Sequence, residues 1–268
     1  MASKFFVVLV FLSAFIFSGC EKEDSESKSK KLRISRTVVK NQGVITSTNE
    51  FEYNSIGLLS NITYRDEKGA ASLISDIEYD YNNLPVKVTK YFSSSHSEYV
   101  INIEWSETGF STYFNDKSLM DVYVLNSNNQ LLTKSIICKY EGMTEYKTLS
   151  VSKYQWNGND KMNFIADSNS DSSWEVNYAF TANPSPFKGI NIAVISVVSF
   201  YISSLVECQN LYCTAGYSSI NSSHDVSNPQ EISTTITYDY NEYDYPTHAV
   251  VRRNNKIVIE RFFEYESY

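Results

Sequence analysis

One phrase recurs along this chain and restricts its fold more than any other feature: an alternating run ending in an aromatic, a polar turn, then a second alternating run. Phe51-Glu52-Tyr53 leads through a polar stretch to Gly57 and Leu58-Leu59. Ile77-Glu78-Tyr79 leads to Asn83 and Leu84-Pro85, and Ile103-Glu104-Trp105 to Gly109 and Phe110. The aromatics Tyr53, Tyr79 and Trp105 stand 26 and 26 residues apart. Weaker copies follow at Leu125 with Asn129, Trp156 with Asp160, and Phe180 with Asn183-Pro184; Tyr238-Asp239-Tyr240 with Asp244-Tyr245-Pro246 closes the series.

Alternation with period two is strand patterning, and the Gly, Asn or Asp four residues after each aromatic tolerates the positive φ that a short hairpin loop requires. The phrase therefore predicts a series of β-hairpins, with the aromatic before each turn facing the apolar residue after it. An isolated hairpin is marginal, so neighbours must pair into one sheet. Seven hairpins allow about fourteen strands, and so wide a sheet must curl, split or be covered. The expected fold is mainly β, a large twisted or curled antiparallel sheet. Its expected core includes Tyr53, Ile62, Tyr79, Val88, Ile103, Trp105, Trp156, Phe180, Val197, Tyr240 and Phe262.

Residues 187–213 break the pattern. Ile190, Val194, Val197, Val198, Tyr201 and Leu205 recur near a 3.6-residue period, which predicts a helical insert over 187–206 lying on the sheet, although the β-branched residues there favour strand. Asn191 and the serines argue against a membrane span. Residues 214–231, rich in Ser with Asn221, Asn228 and Pro229, read as a loop.

The N-terminus carries a different signal. Lys4 precedes the apolar stretch Phe5 to Phe17, then Ser18-Gly19-Cys20 and the charged run Glu21-Lys22-Glu23-Asp24. A positive residue, a short apolar core and small residues before a cleavage point form a secretory signal, too short to span a bilayer. It resembles the signals of bacterial lipoproteins, although Phe17 stands where Leu is favoured. That resemblance implies removal of residues 1–19 and lipidation of Cys20, giving a membrane anchor. The acidic residues after Cys20 look like the export signal that sends lipoproteins of the Bacteroidetes to the outer face of the outer membrane; a periplasmic orientation is the alternative. Residues 20–31 contain no apolar residue after the cysteine and read as a flexible tether. Residues 32–268 read as a single domain, because the repeat resumes after the insert.

Loss of the signal removes one of the 23 cations, Lys4, and none of the 31 anions, so the net charge moves from −8 to −9. An acidic chain without a basic cluster argues against nucleic-acid binding. Of the other cysteines, Cys208 and Cys213 are placed to form a small loop disulfide in an oxidising compartment, and Cys138 is left over as a buried small hydrophobe.

The phrases FEYNSIGLLSNITY, IEYDYNNLPVKVTKY and ITYDYNEYDYPTHAVV resemble the degenerate YD-type repeats of Bacteroidetes surface lipoproteins, most closely the domain family DUF4595, and more distantly the YD repeats of RHS shell proteins. YAFTANPSPFKGI resembles an Asn-Pro-Phe-Lys element that precedes a helical insert in such lipoproteins. The likeness covers residues 45–268; every copy lacks the Gly-Arg-Leu that follows the YD pair in RHS repeats. It implies the hairpin fold and says almost nothing about function.

Motifs for chemistry are sparse. The acidic stretch Asp239 to Asp244 fails as an EF-hand: its sixth place is Asp244 rather than Gly, and its twelfth is Val250 rather than Glu. It reads as a hairpin loop. His96, His224 and His248 have no catalytic motif around them, and no nucleophile elbow, zincin or phosphate-loop motif is present. No catalytic residue, metal or cofactor is expected. The aromatics make the stronger case: Trp105, Trp156 and Trp174 are candidates for stacking a ligand. The reading is a noncatalytic surface module binding a glycan, peptide or apolar ligand, with an accessory subunit of an outer-membrane complex and an unrecognised hydrolase as alternatives. Oligomeric state stays open.

Overall fold

The structure, a computed structural model, describes residues 31–157, 161–168, 172–202, 212–223 and 231–268. The first eight strands are β1 (Leu32–Asn41), β2 (Val44–Tyr53), β3 (Leu59–Arg65), β4 (Ala71–Tyr79), β5 (Pro85–Phe92), β6 (Ser97–Ser106), β7 (Gly109–Phe114) and β8 (Leu119–Leu125). Then come β9 (Leu131–Cys138), β10 (Lys147–Asn157), β11 (Lys161–Ser168), β12 (Ser172–Pro184), the helix α1 (Ile192–Ile202), β13 (Tyr212–Ser223), β14 (Glu231–Tyr240), β15 (Pro246–Arg253) and β16 (Lys256–Ser267). Every strand pairs antiparallel with its neighbour in sequence, and β1 pairs with β16, so the described strands close into a barrel of sixteen. The wide sheet expected from the repeat thus curls until both edges disappear, which leaves no unpaired backbone row.

The repeat has a structural meaning at each turn. Asn54 Oδ1 accepts from the backbone N–H groups of Ile56 and Leu58, and the Gly57 N–H closes the turn on Asn54 O. Asp80, Asn126 and Asn241 make the same bonds two and four residues on. A short carboxyl or amide side chain here satisfies donors that the hairpin leaves over. The residue three places later has positive φ: Gly57 (86°), Asn83 (63°), Asn129 (59°) and Asp244 (63°), as the spacing requires. Gly109 is constrained differently, since a Cβ there would collide with the Tyr123 carbonyl of β8.

The aromatic that precedes the turn ties one hairpin to the previous one. Tyr53 Oη donates to Ile34 O (2.8 Å), Tyr79 Oη to Leu59 O (2.7 Å) and Trp105 Nε1 to Pro85 O (2.9 Å). Trp156 Nε1 donates to Leu131 O (2.7 Å) and Tyr265 Oη to Pro246 O (2.7 Å). These aromatics lie at one end of the barrel, where the chain enters β1 and leaves β16. A polar tip on a large apolar ring packs against the core while reaching a carbonyl at the rim.

Alternation directs Ile62, Ile77, Val88, Ile103, Phe110 and Ile236 inward. Sixteen strands enclose more space than their own side chains fill, and α1 occupies it. Asn191 caps the helix, its Oδ1 accepting from Ala193 N (2.9 Å). Ala193, Val194, Ile195, Val197 and Val198 are all buried. A helix buried on every side needs no polar stripe, so burial outweighs the β-branched propensity. The helix predicted over 187–206 starts at Ile192, and Ser185–Ile190 form the turns that lead into it; 203–206 lie outside the described residues.

Four expectations are corrected. The copy at Phe180 is not a hairpin turn: β12 continues to Pro184 and the chain then dives toward α1, because Ser185 supplies the next turn. Residues 214–223 are strand, not loop; pairing with β12 on one side and β14 on the other outweighs the loop-like composition. Phe262 faces outward, stacked on His248 at 4.5 Å, while Phe263 faces the core. Two adjacent phenylalanines leave the phase open; in β16 Phe263 shares the inward face with Tyr265, two residues on. Tyr240 is half-buried beside Tyr238, the member of the pair that packs on the core.

The outer face is charged. Arg33–Glu266, Arg36–Glu264, Arg65–Glu50, Lys87–Glu78 and Lys117–Glu104 pair across neighbouring strands at 2.5–3.1 Å.

Candidate functional site

At the end of the barrel away from the aromatic ties, the inner faces of β5, β6 and β7 leave a cavity of about 320 Å³. Alternation places its lining. Lys90 and Phe92 project inward from β5, Ser97, Tyr99 and Ile101 from β6, and Phe114 lies opposite Ile101 on β7. Phe92 meets Tyr99 edge to face at 5.4 Å. Tyr99 and Phe114 are each 49 % exposed, which gives the cavity an apolar rim. Exposed aromatics beside a concavity are the surface chemistry of a binding site.

Lys90 has an inward register shared with Val88 and Phe92, where an apolar residue is the norm. Its amine donates to the Val197 carbonyl of α1 at 2.6 Å, and burial pushes its pKa down from 10.5 to about 8. Among the described residues, those that line the cavity include no carboxylate and no imidazole.

Deeper in the barrel a second polar group faces inward. Asp121 lies across from buried Thr112, and Lys134 across from buried Tyr123; paired residues share a face. The two charges meet at 2.8 Å, and Tyr123 Oη donates to Asp121 Oδ2 at 3.2 Å. Burial raises the Tyr123 and Tyr154 phenols, Tyr154 to about 12. This group is an internally satisfied ion pair.

A second pocket, of about 300 Å³, lies at the opposite end, between Trp105 and the turn at Asn126. Of the aromatics named from sequence, Trp105 and Trp156 are inward, packed on the core, with their indole N–H groups bound to rim carbonyls. The backbone of Trp174 pairs with Ala166 and Asn221 in β12; its side chain, Cys20, Cys208, His224 and the side chain of Cys213 lie outside the described residues, and with them the lipidation and disulfide expectations. Cys138 is buried with a free thiol. His248 bridges Asp239 (3.0 Å) and Glu260 (3.2 Å) on the outer wall. Asn241 organises the loop that follows Asp239, and Asp244 takes its positive φ.

Sequence reasoning fixed on tryptophans and missed Lys90, Phe92, Tyr99, Ile101 and Phe114. The legible signal was Val88-Thr89-Lys90-Tyr91-Phe92: a lysine in phase with inward apolar positions.

No family model matches this sequence, and no curated protein matches it. In fold the chain is similar to a porin-like protein from Bacteroides uniformis ATCC 8492, with a TM-score of 0.50 and 14% identity over 88% of this chain and 96% of that one. A porin-like protein from Bacteroides vulgatus ATCC 8482 aligns with a TM-score of 0.44 and 11% identity over 88% of this chain and 99% of that one.

Proposed function

We propose that this protein is a noncatalytic lipoprotein of the outer membrane, of the YD-repeat kind that its sequence resembles, and that it binds a small apolar ligand in the cavity between β5, β6 and β7. The observation that carries the reading is the cavity itself, with walls from Phe92 and Ile101 and a rim from Tyr99 and Phe114. Glycan stacking on Trp105 and Trp156 is less favoured, because both rings are committed to the core and the rim carbonyls.

The barrel wall suits water on its outside. A membrane-spanning barrel turns an apolar band to lipid and keeps its lumen polar, and a Lys or Arg on the lipid face costs about 2–4 kcal/mol at mid-depth. This barrel differs: ion pairs line its outer face, and its interior holds an apolar core and a helix, with Lys90 and the Asp121–Lys134 pair as inward charges. Among the described residues no helix is long and apolar enough to cross a membrane. Membrane attachment therefore falls to Cys20. The eleven residues 21–31 reach at most about 40 Å when extended, and they join β1 at the end opposite the cavity.

Two experiments test the reading. The soluble mature chain with Cys20→Ser should bind one equivalent of the neutral fluorophore N-phenyl-1-naphthylamine, and Ile101→Trp, which fills the cavity, should abolish binding. Equal binding by the Ile101→Trp protein would place the ligand elsewhere. On intact cells, protease should reach the wild-type domain and Cys20→Ala should release it from membranes; unchanged fractionation would remove the lipid anchor from the account.

A further inference from the structure

We propose that the ligand of this cavity is an amphipathic anion, a carboxylate carried on a short alkyl or aromatic body. The inference rests on the apolar-cavity reading above and adds the sign of the ligand's head group. Its basis is the juxtaposition, among the described residues, of one charged side chain with an otherwise uncharged lining: Lys90 on the floor, Phe92 and Ile101 on the walls, Tyr99 and Phe114 at the rim, Ser95 and Ser97 beside them.

A cation set into an apolar wall selects among ligands by charge. Taking a charge out of water is costly unless an opposite charge meets it. An apolar chain with a neutral head would recover only the apolar contacts. A carboxylate would recover those contacts and meet an ammonium in a region where the surrounding side chains weaken screening. An alkylammonium of the same length would bring two like charges together. Selectivity of this kind does not require Lys90 to give up its bond to the Val197 carbonyl, because the field of the ammonium acts over the whole cavity.

Across the neighbouring strands Lys90 faces uncharged side chains. Ser75 lies opposite it on β4 and Tyr99 opposite it on β6. α1, packed on the same side, carries no Asp, Glu, Lys, Arg or His along its length. Lys90 is held with its ammonium proton until pH approaches 8, so the cavity is cationic at neutral pH and loses that charge in mild alkali.

A three-member series of equal chain length tests the proposal: octanoate, 1-octanol and octylammonium, titrated calorimetrically into the mature Cys20→Ser chain at pH 6.5. The expected order is octanoate, then octanol, then octylammonium, with octanoate ahead of octanol by about tenfold or more. Lys90→Met should remove the octanoate advantage and leave octanol binding in place. Because that substitution also removes the tie to α1, the unaltered protein supplies an independent reading: raising the pH from 6.5 to 9.5 should weaken octanoate toward the octanol value and leave octanol unchanged. Equal affinities across the series, or octylammonium the tightest, would overturn the anion assignment while the apolar-cavity reading stands. Failure of all three to bind, together with failure of the neutral fluorophore, would overturn both.

Discussion

The two ends of the barrel are built from the same hairpins and could hardly differ more. At the end where the chain enters and leaves, the turns at Asn54, Asp80, Asn126 and Asn241 repeat one hydrogen-bond pattern, and Tyr53 and Tyr79, beside the first two, donate to carbonyls of neighbouring hairpins. At the other end the described loops vary in length, and among them Asp66–Ala70 alone uses the same turn, without an aromatic donor before it, since Arg65 stands there. That irregular end holds the cavity and its exposed rim. The lesson is a division of labour: the repeated end sets register and closure, which frees the varied end to carry a site.

Substitutions should separate the two ends, from the most damaging to the mildest. Gly109→Val places a branched side chain against the Tyr123 carbonyl; the expected loss is about 3 kcal/mol or more, read by urea denaturation, with failure to fold as the extreme. Gly57→Val should cost about 1–3 kcal/mol through its φ of 86° alone, because the nearest atom to its Cβ is at ordinary contact distance. An unchanged melting temperature would mean that the turn register is wrong. Tyr265→Phe keeps the ring and removes the donor to Pro246 O, for about 1 kcal/mol. Asp80→Ala, which removes two turn bonds, should cost about as much. At the varied end, Tyr99→Ser and Phe114→Ser should change stability by less than about 0.5 kcal/mol, yet reduce binding of the fluorophore. A large loss of stability from either would erase the contrast between the ends.

Titration sharpens the same contrast. Lys90 has a folded pKa of about 8, below its unfolded value of 10.5, so the unfolded chain binds more protons between those limits and stability should rise as pH climbs through them. Tyr79 and Tyr154 have folded values of about 12, raised chiefly by burial from 10.0. They favour the unfolded chain above pH 10, where it alone releases the phenol protons. Urea midpoints should therefore climb from pH 8, crest near 10 and fall beyond it. In Lys90→Met the initial climb should be absent and the fall retained.

Most of the repeated end was legible in the chain. The positions of Gly57, Asn83, Asn129 and Asp244 followed from their spacing behind an aromatic, because positive φ is a local demand that few residues meet. The aromatics were expected to pair across their own hairpins. Their bonds to the preceding hairpin could not be read, since the distance from Tyr53 back to Ile34 has no meaning until the strands lie side by side. The site was barely legible. Tryptophan is conspicuous in sequence, but Trp105 and Trp156 turned out to be ties, and the cavity is lined by ordinary strand residues and one lysine.

The sequence by itself determined strand, turn and period, because those depend on residues within a few positions of one another. It also determined that 187–206 would interrupt the strands. Only the tertiary structure decided that β16 returns to β1, that α1 fills the enclosed space, and which of Phe262 and Phe263 faces inward. Closure depends on the summed twist and bulges of sixteen strands, and a single bulge reverses the facing of everything beyond it. The cavity is a remainder of that closure: it exists where the helix and three strands fail to fill the same space.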